Sequence, residues 1–282
     1  MNHARRNSVL THIAAWIVAI CCLAPIGYMA LASITPQRTL ISTPLKWIPD
    51  HFDFSRFATI FSGASDGVGG AFRAALVNST VIAVSTVAVA MVVGILGAYA
   101  FARLRFRFRR TVLLLFLGTY MLPQIALLIP LYLILSSLGL LNTLTGLVIV
   151  DCSLVVPFVL WILSNYFMTI PEDLEDAARI DGTSRLGALF YIVLPAARPG
   201  IFAALMFAFL LAWDEFMYAL VFTSSDAAKT LPVAISEFAG RYTTDFGLVA
   251  AGGLVAAIPP LIIALIFQRY IVSGMSAGSI KG

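Results

Sequence analysis

The sequence predicts an all-α membrane protein with six transmembrane helices, and three observations carry that prediction. Sixty per cent of its 282 residues are hydrophobic and 11% are charged, a balance well to the apolar side of soluble domains. The apolar residues fall in unbroken blocks, whereas a membrane-spanning strand barrel would read as roughly ten-residue segments of alternating character. In hydrocarbon, a block of about 20 apolar residues must satisfy its backbone hydrogen bonds internally, which a helix does.

Six segments qualify as spans: residues 9–33, 74–101, 111–135, 145–167, 200–222 and 248–271. The first follows Arg5 and Arg6 and contains Ala30-Leu-Ala32, features shared with secretory signals. It exceeds the apolar length of such a signal, about 7–15 residues, and reads as a retained first helix. In the second, Ala90, Gly94, Ala98 and Ala102 recur every four residues, a spacing that lets helices approach closely in lipid. Pro123, Pro130 and Pro157 interrupt the third and fourth spans, where each removes a backbone donor and marks a kink.

Asp151, Asp214 and Glu215 lie within spans, each costing about 2.5–3.5 kcal/mol at the bilayer centre on insertion scales. They should therefore face protein or water. Asp214 and Tyr218 stand four apart and share a helical face with Leu211 and Phe207, a polar and aromatic stripe suited to a solute path or to a helix-packing or gating contact. Asp151, near the outer third of its span, is a candidate for the outer vestibule. The whole chain, 1–282, reads as one transmembrane domain with a cytoplasmic connection at 168–199.

Orientation follows from the basic residues, which concentrate in cytoplasmic loops. Arg5, Arg6, Arg103, Arg105, Arg107, Arg109, Arg110, Arg179, Arg185, Arg198, Arg269 and Lys281 fall on one side; Arg38, Lys46, Arg56, Arg73, Lys229 and Arg241 fall on the other. Both termini are therefore expected inside. The run Arg103 to Arg110 reads as a topology anchor near anionic headgroups, not a nucleic-acid site, since it joins two spans. Cys21, Cys22 and Cys152 lie inside spans without metal-ligand spacing and read as buried apolar residues. His3, His12 and His51 have no carboxylate partner at helical spacing. No P-loop, nucleophile elbow, His-Glu-x-x-His or dinucleotide fingerprint is present; the glycine-rich stretch Gly63 to Gly70 lacks a phosphate-binding Lys and reads as a surface loop.

One polar segment stands apart. Pro171 suits a first helical turn, Glu172 and Asp173 complement the positive end of the helix dipole, and Gly182 can adopt the left-handed conformation that ends a helix. The spacing predicts a helix of about eleven residues, ~16 Å long, with Glu175 and Arg179 paired on one side. Leu174, Ala177, Ala178 and Asp181 form the other side, where two small side chains let a partner approach the backbone. A helix lying on headgroups would instead carry Lys or Arg opposite large apolar residues.

Asp176-Ala-Ala-Arg-Ile-Asp-Gly182, nine further residues, then Ile192-x-Leu194-Pro195 resembles the Glu-Ala-Ala loop of permease subunits in binding-protein-dependent ABC importers. The usual Glu is Asp176 here. Asn78-Ser79, Leu122-Pro123, Ile129-Pro-Leu-Tyr132, Leu138-Gly139, Trp213-Asp-Glu-Phe216, Leu231-Pro-Val233 and the tail from Gln268 to Gly282 are similar to the carbohydrate branch, the tail to that of a maltose-type second permease; Trp213-Asp214 stands where the family often has Trp-Asn.

The resemblance implies the type I importer permease fold and a transport subunit, not an enzyme. It implies a second homologous permease, a dimer of ATPase subunits that binds ATP and Mg, an external solute-binding protein, and a bacterial cytoplasmic membrane as the setting; this chain itself would hold no cofactor or metal. ATPase coupling would fall to Leu174, Glu175, Asp176, Ala177, Ala178, Asp181 and Gly182, and the translocation path to Phe207, Leu211, Asp214, Tyr218 and Asp151. The tail would reach the ATPase interface. The alternatives are a secondary transporter of a small polar solute, which predicts inverted repeats with broken helices in two halves that this sequence does not display, and a membrane-embedded enzyme, which lacks a catalytic constellation.

Overall fold

Helix is the only way these apolar runs can satisfy their own backbone, and the computed structural model is helical throughout. It describes residues 3–44, 46–62, 67–240 and 244–277. In order these form α1 (His3–Ser33), α2 (Gln37–Leu40), α3 (Ser55–Ile60), α4 (Val68–Arg103), α5 (Arg109–Thr119), α6 (Gln124–Ser137), α7 (Leu144–Met168), α8 (Asp173–Ile180), α9 (Arg185–Ala188), a π-helical turn (Leu189–Val193), α10 (Leu194–Ala196), α11 (Arg198–Trp213), α12 (Met217–Phe222), α13 (Leu231–Glu237) and α14 (Phe246–Ala277). Among the described residues the only β pairing is an isolated bridge between Ala239 and Thr244. Residues 63–66 of the glycine-rich stretch and 278–282 of the tail lie outside the described residues, while Val68 to Gly70 already belong to α4.

Two expected spans are not single helices. Residues 111–135 divide into α5 and α6, bent by 93° at their break. Pro123 is the cause: it caps α6 in an extended conformation, φ −64° and ψ 127°, it has no N–H to continue α5, and it pushes Leu122 out of the helical region. Helices α6 and α7 run on through Pro130 and Pro157. Residues 200–222 divide at Asp214–Phe216, with α12 restarting at Met217. Among the described residues five helical stretches are long and apolar enough to cross a membrane, α11 and α12 counting together as one, and the bent pair can supply a sixth crossing.

The chain forms two compact units. In the first, Met1–Arg73 with Ala234–Ile258, buried Arg56 is the tie: it donates to Asp245 Oδ1 at 3.1 Å and to the Thr35 carbonyl at 2.5 Å. Asp245 also accepts from the Leu248 N–H, which fixes the start of α14. The Phe72 and Phe238 rings stack at 6.2 Å. The most apolar stretch of α1 stays unburied on the chain, so Cys21 and Cys22 are exposed rather than buried as the sequence suggested, and Cys152 is half-buried. Such an apolar outer face is suited to lipid.

The second unit, Ala74–Val233 with Pro259–Gly282, has a core that includes Ile82, Leu135, Leu147, Val150, Tyr218 and Phe222. The small-residue stripe Ala90, Gly94, Ala98 and Ala102 is buried, with Gly94 against the Val159 side chain on α7. Helices α7 and α11 touch where Gly200 lies under the ring of Tyr166, leaving no room for even a methyl group. Gly200→Ala should therefore cost about 1–3 kcal/mol by overpacking, read as a lowered melting temperature of the detergent-solubilised protein. Adding Tyr166→Ala should restore most of that loss; an unchanged melting temperature in the single variant would mean the contact is loose.

Candidate functional site

The acidic helix α8 is eight residues long, shorter than the eleven expected, because Glu172 occupies its N-cap position. Its C-terminus is closed by a Schellman turn: the Thr183 N–H donates to the Ala178 carbonyl at 3.0 Å and the Gly182 N–H to the Arg179 carbonyl at 3.1 Å. Gly182 carries φ +91°, a conformation in which a β-carbon is strained.

The largest departure concerns Glu175. Paired with Arg179 on an exposed side in the sequence reading, it is instead 5% exposed and ion-paired with Arg103 at the end of α4. The Tyr99 hydroxyl donates to its other oxygen at 2.9 Å. Arg103 further donates to the Ile170 carbonyl at 2.8 Å, so its side chain is buried rather than turned to headgroups. Glu175 lies three positions from Ala178 on the helix, and burying it fixes which face of α8 stays free. Arg179 pairs instead with Asp176 at 3.4 Å, both exposed. Leu174, Asp176, Ala177, Asp181 and Gly182 are exposed and Ala178 is half-buried. Ile180, 87% exposed, was missed; a lone isoleucine in a polar helix was the available signal.

Beyond Gly182 the signature has its own local order. Ser184 caps α9 by accepting from the Gly187 N–H at 3.1 Å. The chain then widens into the π-helical turn at Leu189–Val193, whose closing bond runs from the Leu194 N–H to the Leu189 carbonyl. Pro195 explains the widening, since it cannot donate to the carbonyl four residues earlier and its ring crowds that carbonyl. The Ile192-x-Leu194-Pro195 motif therefore marks this turn, which leaves Tyr191 78% exposed.

At membrane depth, a cleft of about 430 Å³ is lined by Tyr120, Gln124, Leu154, Phe158, Phe207, Leu211, Asp214, Glu215 and Phe216, among others. Phe207, Leu211 and Asp214 thus share one wall, as their spacing predicts. Tyr218 does not join them. The break at Asp214–Phe216 resets the helical phase, and Tyr218 is fully buried in the core, its hydroxyl 3.5 Å from the Gln124 carbonyl. Glu215 repairs the break: its two carboxylate oxygens accept from the Tyr218 and Ala219 N–H groups at 2.7 and 2.9 Å, donors that a new helix end otherwise leaves unpaired. Asp151 is 2% exposed rather than open to an outer vestibule, and its Oδ1 accepts no hydrogen bond among the described residues.

The far ends of the spans are pinned by residues that the sequence marks in separate motifs. Asn78 donates to the Asp226 and Lys229 carbonyls at 2.9 and 3.0 Å, and Ser79 Oγ accepts from the Leu231 N–H at 2.7 Å. Asn142, at φ +56°, accepts from the Ser224 and Ser225 N–H groups. The segment 223–230 is thereby held to the ends of α4 and α7. Sequence reading recorded Asn78-Ser79 and Leu231-Pro-Val233 but not their contact, and it missed Asn142.

Long apolar helices, a broken span lining a largely apolar cleft that holds two acids, and a short acidic helix tied to a span terminus are the architecture of a multi-pass membrane protein, and the relatives make it a transport subunit rather than an enzyme. Residues 90–277 match the family described as binding-protein-dependent transport system inner membrane component, and the chain belongs to that family. It is 36% identical to the sulfoquinovosyl glycerol transport system permease protein SmoH of Agrobacterium fabrum, over 97% of this chain and 94% of that one. It is also 36% identical to the trehalose/maltose transport system permease protein MalG of Thermococcus litoralis, over 97% of each. Its fold matches a chain of a bacterial ABC transporter involved in alginate import, with a TM-score of 0.77 at 22% identity over 96% of this chain and 99% of that one.

Removing one partner of a buried ion pair leaves the other charge uncompensated, at a cost of about 3–5 kcal/mol. Glu175→Met and Arg103→Met should each destabilise the protein by that order, read by thermal unfolding in detergent, and the double variant should be less impaired than either. Additive losses would remove the pair as the anchor of α8.

Proposed function

We infer that the chain is one half of the transmembrane pathway of an ATP-driven importer of carbohydrate or a related glycoside, working beside a second homologous permease. The named cargoes of the two relatives, the sulfonated sulfoquinovosyl glycerol and the neutral trehalose or maltose, support a glycoside class that spans both charges. In this reading the chain acts as a single transmembrane domain of the bacterial cytoplasmic membrane with both termini in the cytoplasm. A solute-binding protein delivers cargo from outside, and a dimer of ATPase subunits holds ATP and Mg.

The observation that carries the coupling role is the anchorage of α8. Because Glu175 is locked to Arg103 and Tyr99, a push on the exposed face of α8 reaches the end of α4 without a flexible joint. Leu174, Asp176, Ala177, Asp181 and Ile180 form the surface an ATPase groove would take, with Gly182 holding its far end. The cleft walled by Phe207, Leu211 and Asp214 is this chain's share of the path, while Asp151 and Tyr218 support that wall from behind. Nucleotide drives transport only by favouring one arrangement of the spans over another, so the link must be stiff.

Replacing Gly182 by valine strains the left-handed turn. Gly182→Val should leave the subunit inserted and paired while sugar uptake falls by about ten-fold or more, equivalent to at least ~1.4 kcal/mol of lost coupling, with ATP hydrolysis retained. Uptake and hydrolysis are measured on the reconstituted importer with the sugar its binding protein retains; normal uptake would overturn the coupling assignment. Asp176→Lys should weaken ATPase co-purification, and unchanged co-purification would remove Asp176 from the contact.

A further inference from the structure

The two cleft acids are in different states. Glu215 is consumed by its own backbone, both oxygens accepting from α12. Asp214 is exposed to the cleft, and its carboxylate has no hydrogen-bond or ion-pair partner among the described residues. Among the described residues no Lys or Arg lines the cleft. Behind Glu215, buried Asp151 adds a third acid within electrostatic reach, with no cation paired to it among the described residues. The other walls are apolar, with Tyr120, Phe158, Phe207 and Phe216 supplying aromatic faces among leucines and Met217.

We propose that Asp214 makes this cleft a charge filter, which admits neutral or cationic sugars and rejects anionic ones. The proposal rests on the reading of the cleft as part of the pathway. A free carboxylate accepts hydrogen bonds from sugar hydroxyls or an ammonium group, and the aromatic faces stack on the apolar face of a pyranose ring. Low-dielectric walls focus its field into the cleft, so a solute carrying a carboxylate or sulfonate meets repulsion with no lining cation to offset it. Specificity here comes from the repulsive element as much as from the attractive one.

The filter is testable without knowing the cargo, by using small charged thiol reagents as the probe solutes. The intact importer, with Cys21, Cys22 and Cys152 replaced by alanine, carries Leu211→Cys as reporter. It is treated with a cationic trimethylammonium or an anionic sulfonate methanethiosulfonate reagent, and the rates are normalised to those on a free thiol. The cationic reagent should be favoured by about ten-fold or more, and Asp214→Asn should remove most of that preference. Gln124→Cys on the opposite wall gives the same reading should the first reporter fail to assemble. Equal normalised rates, or a preference that survives Asp214→Asn, would overturn the filter. Trapping the ATPases with ATP and vanadate separates the two claims: unchanged reporter accessibility counts against the pathway reading itself, whereas the charge preference answers for Asp214.

Discussion

Hydrocarbon offers no partner to a backbone N–H or carbonyl, and the breaks inside the spans are arranged around that constraint. Where α11 stops at Trp213, the two N–H groups exposed at the start of α12 are taken by the carboxylate of Glu215, which turns an expensive intramembrane acid into the repair of a broken span. Where α5 stops, the break falls at Pro123, whose missing N–H leaves one donor fewer to satisfy. The same repair serves outside the spans: where Pro195 withholds a donor, the helix widens by one residue and the Leu194 N–H bonds five residues back. The breaks are therefore as specified as the helices, and two of them bound the same cleft.

A second constraint operates where the chain leaves the membrane. An eight-residue helix is too short to be stable on its own in water, so α8 must take its rigidity from elsewhere. It takes it from a span, through a buried carboxylate held by one guanidinium and one phenol. Burying that pair is costly, and an apolar contact of similar volume could serve stability as well. What the ion pair adds is direction: the fork of Arg103 and the hydroxyl of Tyr99 fix the rotation of α8 about its axis, and with it the identity of the exposed face.

Much of this was legible in the residues. Block hydrophobicity marked the spans, because lipid imposes one length and one composition. The cap at Gly182 was legible because left-handed geometry has few chemical solutions. The Glu175–Arg103 pair was not, since its partners lie 72 positions apart and a local rule, the spacing of Glu175 and Arg179, offered a nearer answer. Tyr218 was misplaced for a related reason: periodicity carries a face forward only while the helix continues, and nothing in Trp213-Asp-Glu-Phe216 announces that it stops. Asn142 and its loop partners were invisible because polar side chains that pin loops leave no periodic trace.

Adjacent acids at 214 and 215 show why charge in a span cannot be interpreted by cost alone. Both carry the same intrinsic penalty in lipid, yet one has its field spread over backbone donors and the other presents it to an open, aromatic-walled space. Had both been capped, the cleft would be electrostatically bland. Had both been free, the start of α12 would be left with unpaired donors at membrane depth. The division of labour follows from geometry: the residue nearer the new helix can reach its N–H groups, and the one that ends the old helix cannot. Asp214 is left facing the cleft, its carboxylate unpaired among the described residues.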